Sequence, residues 1–342
     1  MSQQPKVISR DISNPRLRPL YSVLLGSGSR LIVAVCAAFV LQFTRSLADE
    51  LTITVIKLPA LHVHGQPARA HTQGLEIDAG KFYVTARRDD VQPRRALLLR
   101  TDADGTDWDV WDITPLDARG ALTSLDHPGG LQSDGKRLWI PLAESRRNGR
   151  SLIRVFPMKG MVPGQPLKAD FEFPVNDHIG ALAVAADRRI VFGANWDTEA
   201  VYVWNFEGRL QRTLNGADIS SRGLGVVIGT QGRAGLAVQD WKVVGDRLFA
   251  SGLFRGPGVA PESPQSRLMS WVGFLETEFQ RWSITLPKQN GTELSREGMA
   301  ISDGLVYFVP EDLGATNRIY RAPLADLMKR SALQDSRSSP PP

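Results

Sequence analysis

The sequence predicts an all-β fold, one closed ring of five four-stranded sheets, on three observations. One pattern recurs five times: "ARAHTQGLEIDAGKFYVTARR" (68–88), "SLDHPGGLQSDGKRLWIPLAE" (124–144), "VNDHIGALAVAADRRIVFGANWD" (175–197), "GLAVQDWKVVGDRLFASGLF" (235–254) and "ELSREGMAISDGLVYFVPED" (293–312). Aligned on Gly74, Gly130, Ala181, Trp241 and Gly298, the copies are 56, 51, 60 and 57 residues apart, a period that marks a repeat architecture. Each copy also reads as a hairpin, with two apolar runs joined at Asp78, Asp134, Asp187, Asp246 or Asp303, usually beside a glycine. Lastly, two more strand-like runs follow each of the first four copies, but "NRIYRAPL" alone follows the fifth. The missing strand is available at the front as "LTITVIKLP", 51–59. Four-stranded sheets around an axis are the blades of a β-propeller. Completing the last blade with the first strand joins the ring and removes two exposed sheet edges.

The elements follow in order. After the first hairpin come "ALLLRT" and "WDVWDI"; after the second, "SLIRVF" and "ADFEFPV". The third is followed by "AVYVWNF" and "LQRTL", the fourth by "RLMSWVG" and "QRWSITL". The stretch 219–236 is the one place a sixth blade could hide. Trp111, Trp139, Trp204, Trp271 and Trp282 sit in strands, where large aromatics fill the gaps between blades. The propeller spans 49–324, and 325–342 reads as a short helix with a disordered tail.

Residues 1–48 read as a signal peptide or N-terminal anchor. Six basic side chains stand there against Asp11 alone, so they account for the whole net charge of +5 in the 342 residues. "LIVAVCAAFVLQF" follows Arg30, and Ser46 and Ala48 suit cleavage before Asp49. That apolar run is short of the roughly 20 residues that span a bilayer, so membrane attachment requires an uncleaved leader. The expected location is exported, periplasmic or secreted. The remainder of the chain is neutral, which argues against nucleic acid as a partner. Cys36, the only cysteine, lies in the leader, so the mature chain has no disulfide, thiol nucleophile or Cys-bound zinc.

The candidate site lies where the blades' first strands enter the channel. Three residues before the aligned position stand His71, His127 and His178, from consecutive blades. One residue before it stand Gln73, Gly129, Gly180, Asp240 and Glu297, so blades without the histidine supply a carboxylate. Second-strand ends return to the same face with Arg87, Glu144, Asn195 beside Trp196, and Glu311 beside Asp312; Trp241 is placed there too. Three imidazoles with an open position suit one divalent metal (zinc, manganese or calcium). Asp240, Glu297 or Glu144 is then the general base, and the metal-free alternative uses the same groups as acid and base. Gln73, Arg87, Asn195, Trp196, Trp241 and Glu311 are the candidate ligand contacts. No nucleotide cofactor is indicated, and the chain is expected to be a monomer with a small-molecule ligand.

"HTQGLEIDAGKFYVTA" resembles the "FTQGL" blade of the plant-type glutamine cyclotransferases, exported five-bladed propellers that cyclise N-terminal glutamine. The resemblance covers one blade, and His71 stands where that pattern has Phe. The strand–Asp-Gly–strand grammar is also similar to exported bacterial propellers of the NHL and gluconolactonase-like type. These residues lead to an exported propeller with a small-molecule site at the channel mouth, acting by metal-assisted hydrolysis or a related acid–base step. The alternatives are a ligand-binding or protein-interaction propeller and a cyclotransferase relative.

Overall fold

The computed structural model describes residues 51–225, 234–256, 259–260 and 263–338. The leader, with Cys36, therefore lies outside the described residues, as does 339–342 of the tail. Among the described residues five antiparallel sheets form the blades, beside two small two-stranded sheets, His62–Val63 with Gln66–Pro67 and Lys288–Gln289 with Thr292–Glu293. Blade 1 runs His71–Asp78, Lys81–Arg88, Arg95–Asp102 and Asp109–Asp112, from channel to rim. In blade 2 the inner strand is broken into His127–Pro128 and Gln132–Ser133, followed by Arg137–Ala143, Ser151–Pro157 and Phe171–Val175. Blade 3 is Ile179–Ala185, Ile190–Asn195, Ala200–Asn205 and Leu210–Asn215; blade 4 is Gly235–Val244, Arg247–Arg255, Gln265–Val272 and Gln280–Thr285. Blade 5 contains Gly298–Ser302, Leu305–Val309 and Asn317–Pro323, and its rim strand is Thr54–Leu58. The register runs from Thr54 opposite Arg321 to Leu58 opposite Asn317, so the first strand closes the last blade as expected.

The described part of 219–236 holds no extra blade: a short helix, Gly216–Ser221, leads into a turn, and 226–233 lie outside the described residues. A terminal helix, Leu324–Ser338, extends through "QDSRS", which composition alone assigns to a disordered tail.

The apolar core divides into five clusters, one in each gap between neighbouring blades. Trp111, Trp139, Trp204 and Trp271 are buried in these gaps. A flat blade buries one face against each neighbour, so five interfaces in a closed ring leave no apolar face uncovered. Trp241 is also fully buried, in the gap between blades 3 and 4, rather than at the top face where the repeat alignment places it.

Trp241 faces the core because it lies one residue past the ladder position of its strand. The ladder between the first two strands of blade 4 shifts register between Val238 and Asp240, and matching shifts occur at Thr72/Gly74 and Ile179/Ala181. Asp240, not Trp241, pairs with the fifth residue of its second strand, as Gly74, Ala181 and Gly298 do. The bulged residue in blade 4 is therefore Gln239. Because successive strand residues face opposite ways, a slip of one exchanges the channel and core faces.

At the axis the repeated glycines have a steric role. A Cβ on Gly74 would lie 2.7 Å from Gly130 Cα, and one on Gly298 would lie 2.6 Å from the Gly74 carbonyl carbon. A Cβ on Gly130 would collide with the Asp240 carboxylate. Asp240 is wholly buried there and accepts hydrogen bonds from Leu75 N and Met299 N, both at 3.0 Å. Its other oxygen takes Lys242 Nζ at 2.6 Å, which also donates to Leu131 O at 2.7 Å and Trp241 O at 3.1 Å. One ion pair thus ties blades 1, 2, 4 and 5 together through groups that are all satisfied.

Candidate functional site

Above this plug, at the mouth, the inner strands present the histidines. His71 starts the inner strand of blade 1, and its Nδ1 lies 2.7 Å from Asp312 Oδ1, just past the second strand of blade 5. Its Nε2 lies 3.9 Å from Glu297 Oε1. With Nδ1–H donating to a carboxylate, Nε2 is the nitrogen turned toward Glu297. The Asp312 hydrogen bond raises the His71 pKa above its usual value, and the same bond lowers that of Asp312. Glu297 has the opposite environment. Burial pushes its pKa up to about 8, against the pull of His71 and Arg296, so near neutral pH it is a protonated acid.

His127 is held differently. Arg87 Nη1 lies 2.6 Å from its Nδ1, and Gln73 Oε1 lies 2.8 Å from its Nε2. A guanidinium only donates, so Nδ1 accepts, Nε2–H donates to the Gln73 carbonyl, and the ring is neutral. Burial keeps the His127 pKa well below normal, with His178 and Arg87 acting in the same direction. His178 is buried, has its Nδ1 2.7 Å from Glu144 O, and stands edge-on to His127 (5.2 Å between centroids) and Trp196 (4.7 Å). Burial lowers its pKa too. Arg87 is itself clamped by Asp89.

The structure therefore brings His71, Gln73, Arg87, His127, His178, Trp196 and Glu297 to one arc of the mouth. A regularity of the ring emerges here: the residue just before the channel glycine in one blade reaches the histidine of the next, Glu297 to His71 and Gln73 to His127. Other candidates are employed elsewhere. Glu144 is locked by Arg146 and Arg150, and the Arg146 bond leads in bringing its pKa down to about 2, which removes it as a base near neutral pH. Asn195 bonds Asp177 and Ala200 N, and so fixes its own turn. Glu311 faces Arg318, leaving Asp312 as the acid that meets His71. Asp240 and Trp241 belong to the axis and the core.

As a metal centre the three imidazoles fit poorly, because both ring nitrogens of His127 are already engaged. Among the described residues no group of three or more His, Asp, Glu or Cys is placed to hold an ion.

Fold and mouth together define a five-bladed β-propeller with a polar, titratable channel entrance. Residues 108–258, from the rim strand of blade 1 to just beyond the second strand of blade 4, match a family of unknown function, DUF6454. No curated protein matches the chain. Among solved structures it is similar to a chain of a nidogen/laminin complex (TM-score 0.42, 11% identity, 76% of this chain and 86% of that one). It is similar as well to the endosialidase of phage phi92 (TM-score 0.44, 9% identity, 80% and 69%) and to the WD40 repeats of RRP9 (0.39, 13%, 80% and 99%).

Proposed function

We propose that the channel mouth binds a small polar molecule and performs general acid–base chemistry on it, with His71 as base and Glu297 as acid. The observation that carries this reading is the Asp312–His71–Glu297 arrangement. One carboxylate orients the imidazole and supports its positive charge, while a second, buried carboxyl is kept protonated within reach of the same ring. Two acids whose environments push their pKa values apart supply separate proton-accepting and proton-donating roles. In a hydrolysis, His71 Nε2 takes the proton of an attacking water and Glu297 gives its proton to the leaving oxygen. Arg87 and the neutral His127 frame the opposite side, and Trp196 offers an aromatic edge for the ligand body. This metal-free form is preferred to the three-imidazole form because His127 has no nitrogen to give. The leader over 1–48 would carry the propeller out of the cytoplasm.

The test is turnover by the full chain of a panel of esters, lactones and an N-terminal glutamine peptide, beside His71→Ala and Glu297→Gln. Turnover of an ester or lactone that falls by at least about a hundredfold in both variants supports the reading. Cyclisation of the glutamine peptide would favour the cyclotransferase relative instead. Saturable binding without turnover would make the mouth a binding site only, and neither binding nor turnover would sink the proposal.

A further inference from the structure

A second place in the molecule carries charge without compensation. Between the helix Gly216–Ser221 with its following turn and the rim half of blade 4 lies a cavity of about 370 Å³. Its walls include Arg267, Arg281, Phe254, Met269, Leu224 and Ser283. Elsewhere guanidiniums meet carboxylates, as in Arg100–Asp109, Arg137–Asp134, Arg154–Glu172 and Arg189–Glu207. Among the described residues neither Arg267 nor Arg281 has an acidic partner. Arg267 offers Nη2 to Gln265 at 3.2 Å, but its Nε is buried without any acceptor. Arg281 reaches only Ser221 O, at 3.5 Å.

The placement is dictated by the sheet. Arg267 and Met269 alternate on one face of the third strand; opposite Met269 on the rim strand is Ser283, and opposite Trp271 is Arg281. Four neighbouring positions on one face thus yield two cations, a hydroxyl and a thioether. The Arg267 guanidinium carbon lies 3.4 Å from the centroid of the Phe254 ring, which holds the fork flat and directs its donors along the cavity wall. Gly223 lies at the facing wall with φ +72°, a conformation that favours glycine, and its Cα faces Arg281 Nη1. Burial, then the neighbouring Arg281, lowers the Arg267 pKa, as expected of two like charges that share a space with no anion in it.

We propose that this cavity binds a small organic carboxylate, its anionic head between Arg267 and Arg281 and its apolar body against Phe254, Met269 and Leu224. A buried guanidinium N–H without an acceptor is costly, and a carboxylate satisfies it while cancelling the repulsion between the two arginines. The volume falls in the range of small-ligand sites. Ser283 is placed on the same wall for a second polar group. The site is separate from the mouth, so the two proposals stand or fall apart.

The full chain is titrated with phenylacetate, hexanoate and inorganic phosphate, with phenylacetamide as the neutral analogue, by thermal shift and calorimetry. Saturable binding of a carboxylate but not of the amide is expected. Affinity should fall at least about tenfold in Arg281→Gln and in Arg267→Gln, each confirmed folded by circular dichroism. Arg281→Glu supplies an acid within the protein; it should raise the melting temperature of the unliganded chain and abolish carboxylate binding. Binding of phosphate alone would replace the organic acid with an oxyanion and overturn the assignment of an apolar body. No binding by the wild type, or equal binding of phenylacetate by wild type and both Gln variants, would overturn the site itself.

Discussion

The axis and the mouth of the channel are built from the same kinds of residue, yet they are opposite in character. At the axis Asp240 and Lys242 approach to 2.6 Å, and the other carboxylate oxygen and the other two ammonium protons all have backbone partners. At the mouth His71 and Asp312 approach to 2.7 Å, but the Asp312 side chain is 63% exposed and the third member, Glu297, stands 3.9 Å from His71 Nε2. The first arrangement ties blades 1, 2, 4 and 5 together. The second leaves His71 Nε2 and Glu297 Oε1 3.9 Å apart, beyond hydrogen-bond distance. Residue type therefore does not separate the two regions; saturation of hydrogen bonds does.

The comparison breaks most sharply under substitution at the axis. Asp240→Ala strands the Lys242 charge and two backbone donors in the interior, and should cost about 3–5 kcal/mol, read as a drop in the urea midpoint. If its effect is no larger than that of Asp312→Ala, which should lie within about 1 kcal/mol because the pair is solvated, the plug is not structural. Next in size is Gly130→Ala, whose methyl would press on the Asp240 carboxylate; overpacking of this kind costs about 1–3 kcal/mol. The same substitution at Gly80, a turn glycine with positive φ and no neighbour near its Cβ, should cost less, through backbone strain alone.

A third test uses pH and sharpens the mouth. The pKa of Glu297 is raised to about 8 in the folded chain from an ordinary 4.5, so the native state binds the extra proton between those values. The Glu297 contribution to stability then declines as pH climbs through that window, whereas buried His127 and His178, with lowered pKa values, act in the opposite sense. His71, also raised, acts in the same sense as Glu297, losing its contribution as pH passes its folded value. Buried Glu76, raised to about 7 by desolvation, adds to the decline. Glu297→Gln should therefore flatten the fall in melting temperature between acid and alkaline buffer without erasing it. An unchanged slope would mean that Glu297 is not held protonated.

How much of this could be read from the sequence follows from what each feature depends on. The five blades were legible because four of the five inner strands carry a small residue at one place near the axis and each hairpin carries an Asp at its turn; both leave letters behind. The closing strand was legible by subtraction. Asp240 was misplaced because the fourth copy was anchored on Trp241, and only the ladder shows that Asp240, opposite Ser251, stands where Gly74 and Ala181 do. Choosing Asp312 over Glu311 required knowing where the strand ends and which way the chain turns. The histidine series put His127 and His178 side by side, but nothing in it reports that Arg87 and Gln73 occupy both sides of His127. Arg267 and Arg281 carried no motif at all, since nothing in a string of letters reports the absence of an acid nearby.

The closure of the ring has a consequence for how the chain is made. Blades 1 to 4 are each local in sequence and can form in turn as synthesis proceeds, whereas blade 5 must recruit Thr54–Leu58 from the far end. That pairing is the slowest kind, joining segments separated by most of the chain. A ribosome that stops before Asn317 releases a crescent with two raw flanks and an orphan first strand. Such a product is a seed for association between copies rather than a shorter working protein.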